Sequence, residues 1–250
     1  MISPVHGQPA LLVEEKTLII ADLHIGIEHE LRSKGLNIPS RTEKVSESII
    51  ELCIENSVEK VVLLGDIKHT VPQTSWQELR EIPELFRALL DVCKVHVGVG
   101  NHDSNLEKLA PRDVKFHPAS GFVLDEVGFF HGHSWPSKDV MSCKRVVMAH
   151  VHASITFIDE LGARHSEQCW LRGGFFKEKV RDRYGDSLPE LIIMPAFNTL
   201  CGGTPLNALR AKDEFLGPLL RNNFVNLDNA RIYLLDGTFL GELRALRGLK

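Results

Sequence analysis

Short apolar runs alternate with helical patterns in the first half of the chain. Three runs have the length and apolarity of strands buried on both faces: TLIIAD (17–22), KVVLLGD (60–66) and VHVGVG (95–100). The first segment between them has apolar residues at helical spacing and Ser40 as its predicted N-cap. The second opens with a predicted capping box of Ser75 and Glu78. This β-α-β-α-β order predicts a parallel sheet with right-handed crossovers.

The second half of the chain has a different pattern. The apolar runs VGFF (127–130) and RVVMA (145–149) leave little room for a helix between them. Two later segments have the pattern of hairpins, one turning at residues 160–162 and the other at 236–237. We therefore predict that antiparallel pairing dominates late in the chain. Because no repeat, low-complexity tract or linker divides the sequence, we expect one domain over residues 1–250.

Composition and charge narrow the class of protein without choosing a substrate. The chain has 250 residues, and no apolar run approaches the roughly 20 residues of a membrane span. The N-terminus has no signal-peptide pattern, so the expected location is the cytoplasm, without a membrane partner. The five cysteines never form CxxC, which argues against a disulfide framework and a thiolate zinc site. A formal net charge of −4 gives no broad attraction for nucleic acid.

Polar residues of the kind that bind metals follow five of the apolar runs. Ligands of α/β sheets bind outside the carboxyl ends of the strands, which is where these residues fall. The five clusters are Asp22-Leu23-His24, Gly65-Asp66, Gly100-Asn101-His102-Asp103, His131-Gly132-His133 and His150-Val151-His152. One such cluster alone is more often a turn or a helix cap, whereas five in order are not readily supplied by chance.

The spacing and chemistry of these donors indicate two metal ions. Residues i and i+2 of an extended chain point to one side, so Asp22 and His24 can face one ion together, and so can His150 and His152. Carboxylate, amide and imidazole donors without thiolate suit Mn, Fe, Zn or Ni. Five strand ends supply more donors than one tetrahedral ion uses, which favours a pair of ions bridged by a carboxylate.

The ordered set D-x-H, GD, GNHD, H-G-H and A-H-x-H, from about Thr17 to His152, resembles the motifs of the calcineurin-like metallophosphoesterase superfamily. Two further segments, GIEHELRSKGLNIP and PAFNTLCGG, are similar to a small archaeal branch related to the Mre11/SbcD nucleases. The resemblance implies an α/β fold in which two β-sheets pack face to face as a sandwich flanked by helices.

The resemblance also implies a role for each matching residue. The implied ligands of one ion are Asp22, His24 and His152; those of the other are Asn101, His131 and His150; Asp66 bridges the two. His102 corresponds to the catalytic histidine and Asp103 to the acid that orients it. The chain departs from the usual pattern at Ala149, where glycine is more common. It also has Lys68-His69 where protein phosphatases of the superfamily have Asp-Arg, which argues against a phosphoprotein substrate.

Several neighbouring residues have two interpretations. His133 is an alternative to His131 as ligand, although the family pattern favours His131, and His69 either lines the site or only ends its strand. Trp135 either stacks on a base or packs in the core. Three further residues, which either reach a phosphate or form an exposed helix face, are His29, Arg32 and Arg41.

The expected chemistry follows from two ions at one site. Two divalent ions roughly 3.5–4 Å apart lower the pKa of a bridging water, and the resulting metal-bound hydroxide attacks phosphorus in line. A histidine beside the ligands protonates the departing alkoxide. We therefore expect a dinuclear phosphoesterase, with Mn²⁺ as the first choice of metal, that acts on a phosphodiester such as a nucleotide or short nucleic acid. The alternative is a scaffold that keeps the fold without the chemistry, which the intact GNHD sequence disfavours.

Overall fold

The computed structural model of the chain describes residues 1–208 and 216–247, and its strands form two sheets. The first sheet has six strands in sequence order: β1 (Ile2–Pro4), β2 (Leu11–Val13), β3 (Thr17–Ile20), β4 (Lys60–Leu64), β5 (Lys94–Gly98) and β6 (Lys115–His117). Strands β3 to β6 are parallel, whereas β1 and β2 add antiparallel at one edge. The predicted parallel sheet is confirmed.

Three helices connect the parallel strands of the first sheet: α1 (Ile27–Ser33), α2 (Thr42–Glu55) and α3 (Trp76–Leu90). The capping box of α3 is confirmed, because Ser75 Oγ accepts from the amide of Glu78, whose carboxylate accepts from the amide of Ser75. The N-cap prediction for α2 is wrong, since Arg41 occupies that position. The hydroxyl of Ser40 instead donates to the carboxylate of Glu81 at 2.8 Å, a stronger acceptor that α3 brings close.

The second sheet has nine strands: β7 (Phe122–Leu124), β8 (Val127–Phe130), β9 (Arg145–Met148), β10 (Ala153–Ile158), β11 (Arg164–Gly173), β12 (Glu190–Ile193), β13 (Thr204–Pro205), β14 (Arg231–Leu234) and β15 (Phe239–Glu242). Their order is β13-β10-β11-β12-β9-β8-β7, with β14 paired to β11 and β15 to β14. Both predicted hairpins, β10–β11 and β14–β15, are confirmed, and antiparallel pairs outnumber parallel ones.

The expectation that little room is left for a helix between β8 and β9 is wrong. Strands β8 and β9 pair in parallel, and their connection includes the short helix α4 (Lys138–Met141). Residues 131–144, which include this single helical turn, carry the chain from the carboxyl end of β8 back to the amino end of β9, so a longer helix is not needed. The remaining helices are α5 (Lys177–Tyr184), α6 (Pro218–Arg221) and α7 (Leu243–Leu246). In the part of the chain that the structure describes, no helix has the length and apolarity needed to cross a membrane.

The two sheets pack face to face through one apolar cluster to which both contribute. Ile19, Val62 and Leu64 of the first sheet meet side chains of the second, including Phe129 and Val147. A second cluster joins the outer face of the first sheet to α2 and α3, and a third joins the second sheet to α4, α6 and α7. This layering confirms the predicted α/β sandwich of two sheets flanked by helices. It also sets the carboxyl ends of β3, β4, β8 and β9 beside one another.

Candidate metal centre

The polar residues that follow these strand ends meet in space. Asp66, after β4, has its Oδ2 3.2 Å from Nε2 of His131, which follows β8 in the other sheet. The same oxygen lies 3.7 Å from Nε2 of His24, which follows β3. Nε2 of His152, after β9, lies 3.6 Å from Oδ1 of Asp22. Two sheets therefore contribute side chains to one cluster, with Asp66 between donors from both.

Several sets of donors are compact enough to hold an ion, with ligand atoms within 4.8 Å of one another. One set contains Asp22, His24 and Asp66, and a second contains Asp66, His131 and His150. Asp66 belongs to both sets, so its carboxylate is within reach of donors from each. Two further sets centre on His24: His24 with His152 and Cys201, and His24 with His69 and His102.

Five of the clustered residues have left-handed backbone conformations. The φ angles are 57° at Asp22, 43° at His24, 51° at Asp66, 72° at His150 and 46° at His152. Such angles are uncommon for residues other than glycine and cost on the order of 1–3 kcal/mol each. The strand ends therefore turn sharply where they deliver a donor, and the fold holds these strained turns in place.

These turns overturn the extended-chain reasoning for one pair of residues. His150 and His152 do not share a donor set: His150 lies with Asp66 and His131, whereas His152 lies with His24 and Cys201. Asp22 and His24 do share a set, although neither residue is extended. Spacing alone was therefore a poor guide to which donors face the same point.

Two glycines allow the strand ends to approach one another. A Cβ atom at Gly65 would overlap the imidazole of His131, and one at Gly100 would overlap the backbone and carboxylate of Asp66. Gly65 also has a φ of 84°, which glycine adopts without the usual steric penalty. The GD and GNHD sequences thus use glycine to place Asp66 against its neighbours.

The buried atoms of the cluster fit a cation. His131 Nδ1 donates to the carbonyl of Leu64 at 2.9 Å, and because a carbonyl can only accept, this bond leaves Nε2 to face Asp66 as a ligand atom. Within the described residues, His131 Nε2, Asp22 Oδ1 and His133 Nδ1 are among the buried atoms without a hydrogen-bond partner. Buried polar atoms are normally paired, so these atoms fit the donor set of a cation.

The ionised carboxylates of the cluster also favour the binding of a cation. Burial opposes ionisation of Asp22 and Asp66, but neighbouring histidines hold the pKa of both carboxyls below the ordinary range. Burial lowers the pKa of His24 to about 3 and that of His150 to about 3, so both rings are neutral near pH 7. Burial would lower the pKa of His131 as well, but the carboxylates of Asp66 and Asp22 raise it to about 9. The two carboxylates thus attract positive charge to the place where a metal would sit.

The loop after β5 carries three of the predicted site residues. Asn101 is exposed, and its side chain makes no hydrogen bond within the described part of the chain. The amide of His102 donates to Asp66 Oδ1 at 2.9 Å, and its Nδ1 donates to the carbonyl of His69 at 2.5 Å. The imidazole of His102 therefore takes its orientation from a backbone carbonyl.

Asp103 has different partners from those the sequence suggested. Its carboxylate accepts from the amides of Ile67 at 2.8 Å, Lys68 at 3.2 Å and Gly100 at 2.8 Å. Within the described residues its carboxylate makes no hydrogen bond to the imidazole of His102, the residue that the resemblance implies it orients. Asp103 instead ties the loop that carries His102 to the end of β4.

Two further residues lie near the centre: His69, for which the sequence allows two roles, and Cys201, which the sequence does not identify as a site residue. His69 lies in the cluster, with its Nδ1 3.2 Å from Nδ1 of His24 and its Nε2 2.5 Å from Glu30 Oε2. Cys201 joins through the segment PAFNTLCGG, which returns to β3 because Asn198 Nδ2 donates to the carbonyl of Leu23 at 2.8 Å. The sequence contains that motif, but nothing local in it indicates that its cysteine lies in a donor set with His24 and His152.

The other ambiguous residues lie at the margin. His133 is in none of the donor sets, and its ring centroid is 6.1 Å from that of His150. The guanidinium of Arg183 lies 4.1 Å from the ring centroid of Trp135, and Phe224 packs beside the same ring. Arg32, in the last turn of α1, donates to the carbonyl of Ile38 in the loop that follows the helix. Trp135 therefore has a packing role, with one face already covered.

The chain resembles known proteins in sequence, through a family model, and in fold. A family model described as calcineurin-like phosphoesterase matches residues 15–185. Among curated proteins, no match was found.

Similarity to solved structures concerns the fold. The Pseudomonas putida nuclease MPE aligns with a TM-score of 0.52 and 20% sequence identity, covering 94% of this chain and 98% of that one. Yfce, a phosphoesterase from E. coli, aligns with a TM-score of 0.39 and 12% identity, covering 90% of this chain and 97% of that one. The first alignment supports the shared fold, and the second is too weak to support a further conclusion.

Proposed function

This chain belongs to the calcineurin-like phosphoesterase family, and on that premise we propose that it is a dinuclear metal-dependent phosphodiesterase acting on nucleotides or short nucleic acid. Family membership supports phosphoester hydrolysis in general. The observation that carries the finer proposal is the position of Asp66, which belongs to two compact donor sets from different sheets. A single structural ion would not require a carboxylate shared in this way.

The proposed ligands divide into two groups that share Asp66. Asp22, His24 and His152 would hold one ion, and Asn101, His131 and His150 the other. The orphaned atoms of Asp22 and His131 support one ligand from each group. Divalent transition metals suit these donors, with Mn²⁺ as the first choice and Fe, Zn or Ni as alternatives. When bound, two such ions supply Lewis acidity that activates water and neutralises phosphoryl oxygens.

His102 is the proposed general acid. Its Nδ1 hydrogen is committed to the carbonyl of His69, which leaves Nε2 to hold a proton for the departing oxygen. Its ring centroid lies 4.9 Å from that of His24, so it stands beside one group of ligands. Asp103 would act as a positioning residue, because its three backbone bonds fix the loop that carries His102.

The proposed substrate class rests on a structural neighbour, on a resemblance in sequence and on the charge of the chain. The Pseudomonas putida protein is a nuclease that shares this fold, and the resemblance to the archaeal branch related to Mre11/SbcD points the same way. A pI near 6.3 and a chain of 250 residues give no broad cationic surface for duplex DNA, which favours small or short substrates.

Hydrolysis of bis-p-nitrophenyl phosphate tests the proposal directly. Chelated protein should be inactive, and added Mn²⁺ should restore hydrolysis. Asp66→Asn should abolish this activity, whereas Glu59→Gln, which changes an exposed carboxylate paired with Lys16, should not. A folded wild-type protein that hydrolyses neither this ester nor any nucleotide with Mn²⁺, Fe²⁺, Zn²⁺ or Ni²⁺ would leave the scaffold interpretation in its place.

A further inference from the structure

A pocket of about 290 Å³ adjoins the metal centre and takes no part in the function proposed above. Its lining includes Arg41, Lys44, Gln168, Phe197, Asn198 and Thr199. We propose that this pocket binds a second phosphate of the substrate, together with the sugar attached to it. The inference rests on the proposed function, and it narrows the substrate to a dinucleotide or oligonucleotide with a phosphate next to the scissile one.

The pocket and the metal centre share a wall. Asn198 lines the pocket and is 5% exposed, and its side chain donates to the carbonyl of Leu23, between Asp22 and His24. The amide of the adjacent Phe197 donates to the carbonyl of Ala21 at 2.8 Å. A group bound in the pocket would therefore lie next to the chain segment that supplies two proposed ligands.

A second contact ties the cationic side of the pocket to the same segment. Glu28, buried and four residues after His24, accepts from the amide of Arg41 at 2.8 Å. This bond fixes the start of α2 at the carboxyl edge of the sheet, beside the metal centre. Lys44 follows in the first turn of α2, so both cations are held on this side of the molecule.

The charge of the pocket suits an anion. Arg41 and Lys44 are exposed, and neither forms an ion pair within residues 1–208 and 216–247. Over the same residues no carboxylate lines the pocket, and the side-chain amides of Gln168 and Asn198 already donate to the carbonyls of Ala196 and Leu23. Two cations in a lining without a carboxylate attract phosphate.

The positive charge of the pocket is confined to one side of α2. The groove between the outer faces of α2 and α3 is lined by Glu43, Glu47, Glu81 and Glu84, with Arg80 as its one cation among the described lining residues. An anionic chain leaving the metal centre is repelled by that groove and attracted by the pocket. The charges on the two sides of α2 thus favour binding of an anionic substrate on the side of the pocket.

The size of the pocket limits what it accepts. Pockets for small molecules typically enclose about 300–1,000 Å³, and this one lies just below that range. A phosphate with its sugar fits, and the half-buried ring of Phe197 offers an apolar surface to the sugar or base. A long duplex does not fit.

The test compares d(TpTpT), which has two phosphates, with d(TpT), which has one. The double variant Arg41→Gln/Lys44→Gln removes both cations of the pocket. Its matched control, Lys94→Gln/Lys115→Gln, removes two exposed charges at the amino ends of β5 and β6, at the opposite edge of the sheet. We expect the pocket variant to raise KM for d(TpTpT) about tenfold, the effect of roughly 1.4 kcal/mol of binding, and to lose the wild-type preference for d(TpTpT) over d(TpT).

The control should keep both the KM and the preference. Equal KM values in the two variants, or an equal loss on both substrates, would overturn the pocket assignment while leaving hydrolysis intact. If the wild-type protein hydrolyses bis-p-nitrophenyl phosphate but neither oligonucleotide, the pocket assignment fails and the proposed phosphodiesterase stands. If it hydrolyses none of the three, the proposed function fails, and calorimetric Kd values for the two oligonucleotides then decide the pocket by the same tenfold criterion. Melting temperatures of both variants establish that they are folded.

Discussion

The two halves of the candidate metal centre are held in different ways. The half around His131 is closed: the ring is buried, its Nδ1 is committed to Leu64, and Gly65 leaves no space behind it. The half around His24 is surrounded by further donors, with His69 at 3.2 Å and the thiol of Cys201 in the same set as His152. The half around His131 thus has one neighbouring imidazole, His133, that lies outside its donor set, whereas the half around His24 has further donors within its sets.

The comparison indicates a division of labour. His102 lies beside His24 and the carbonyl of His69, so the proposed general acid belongs to the half with more donors. The leaving group would then depart on the His24 side, where several imidazoles line its path. The closed half around His131 would act mainly as an anchor for its ion.

The largest effect is expected at the residue that the two halves share. Asp66→Asn should weaken both ions at once and lower kcat by about 10³-fold or more, since charge stabilisation at such centres is worth at least that much. Metal analysis together with hydrolysis of bis-p-nitrophenyl phosphate measures both effects. Retention of two tightly bound ions by the variant would show that Asp66 does not bridge them.

The next effect separates the general acid from the ligands. His102→Ala should lose on the order of 10²- to 10⁴-fold on a natural phosphodiester, because its alkoxide needs a proton. The same variant should keep both ions and much of its activity on the p-nitrophenyl ester, whose leaving group departs without help. Asp103→Asn should show this pattern more weakly, since it acts through the loop. Equal losses on both substrates would assign His102 to phosphate binding instead.

A smaller effect should distinguish the two halves directly. In His131→Ala the neighbouring imidazole of His133 lies outside the donor sets, whereas in His24→Ala the ring of His69 belongs to a set with the lost ring. We therefore expect the affinity for the weaker-bound ion to fall more than about 100-fold in the first variant, beyond the roughly 10- to 100-fold cost of losing an outer-shell partner, and about tenfold in the second. Calorimetric Mn²⁺ titration measures both. His165→Ala, which removes an exposed histidine paired with Glu167, is the control and should bind as the wild-type protein does.

The sequence predicted those features that are decided locally. Apolar runs of four or five residues specified β3, β4, β5, β8 and β9, and the position of polar residues just after them brought Asp22, Asp66 and His131 to one edge. Strands β1, β2 and β6 are only three residues long and carry little pattern of their own, so the sequence does not predict them. That the chain forms one domain over its full length stays a prediction.

Other features depend on contacts that are distant in sequence. Nothing near Ser40 indicates that Glu81 takes its hydroxyl, and nothing near Asp103 indicates that three amides occupy its carboxylate. The left-handed turns at His150 and His152 arise from the packing of two sheets, and they separate side chains that an extended strand would hold together. Such contacts are fixed by the tertiary fold, and the neighbouring sequence does not indicate them.

Metal content tests the central claim most directly. Wild-type protein freed of metal by chelation, reconstituted with Mn²⁺ and passed through a desalting column should retain close to two ions per chain. Asp66→Asn, treated in the same way, should retain fewer than one. A wild-type value that never exceeds one ion, at any Mn²⁺ concentration that leaves the protein folded, would contradict the dinuclear centre and the bridging position of Asp66.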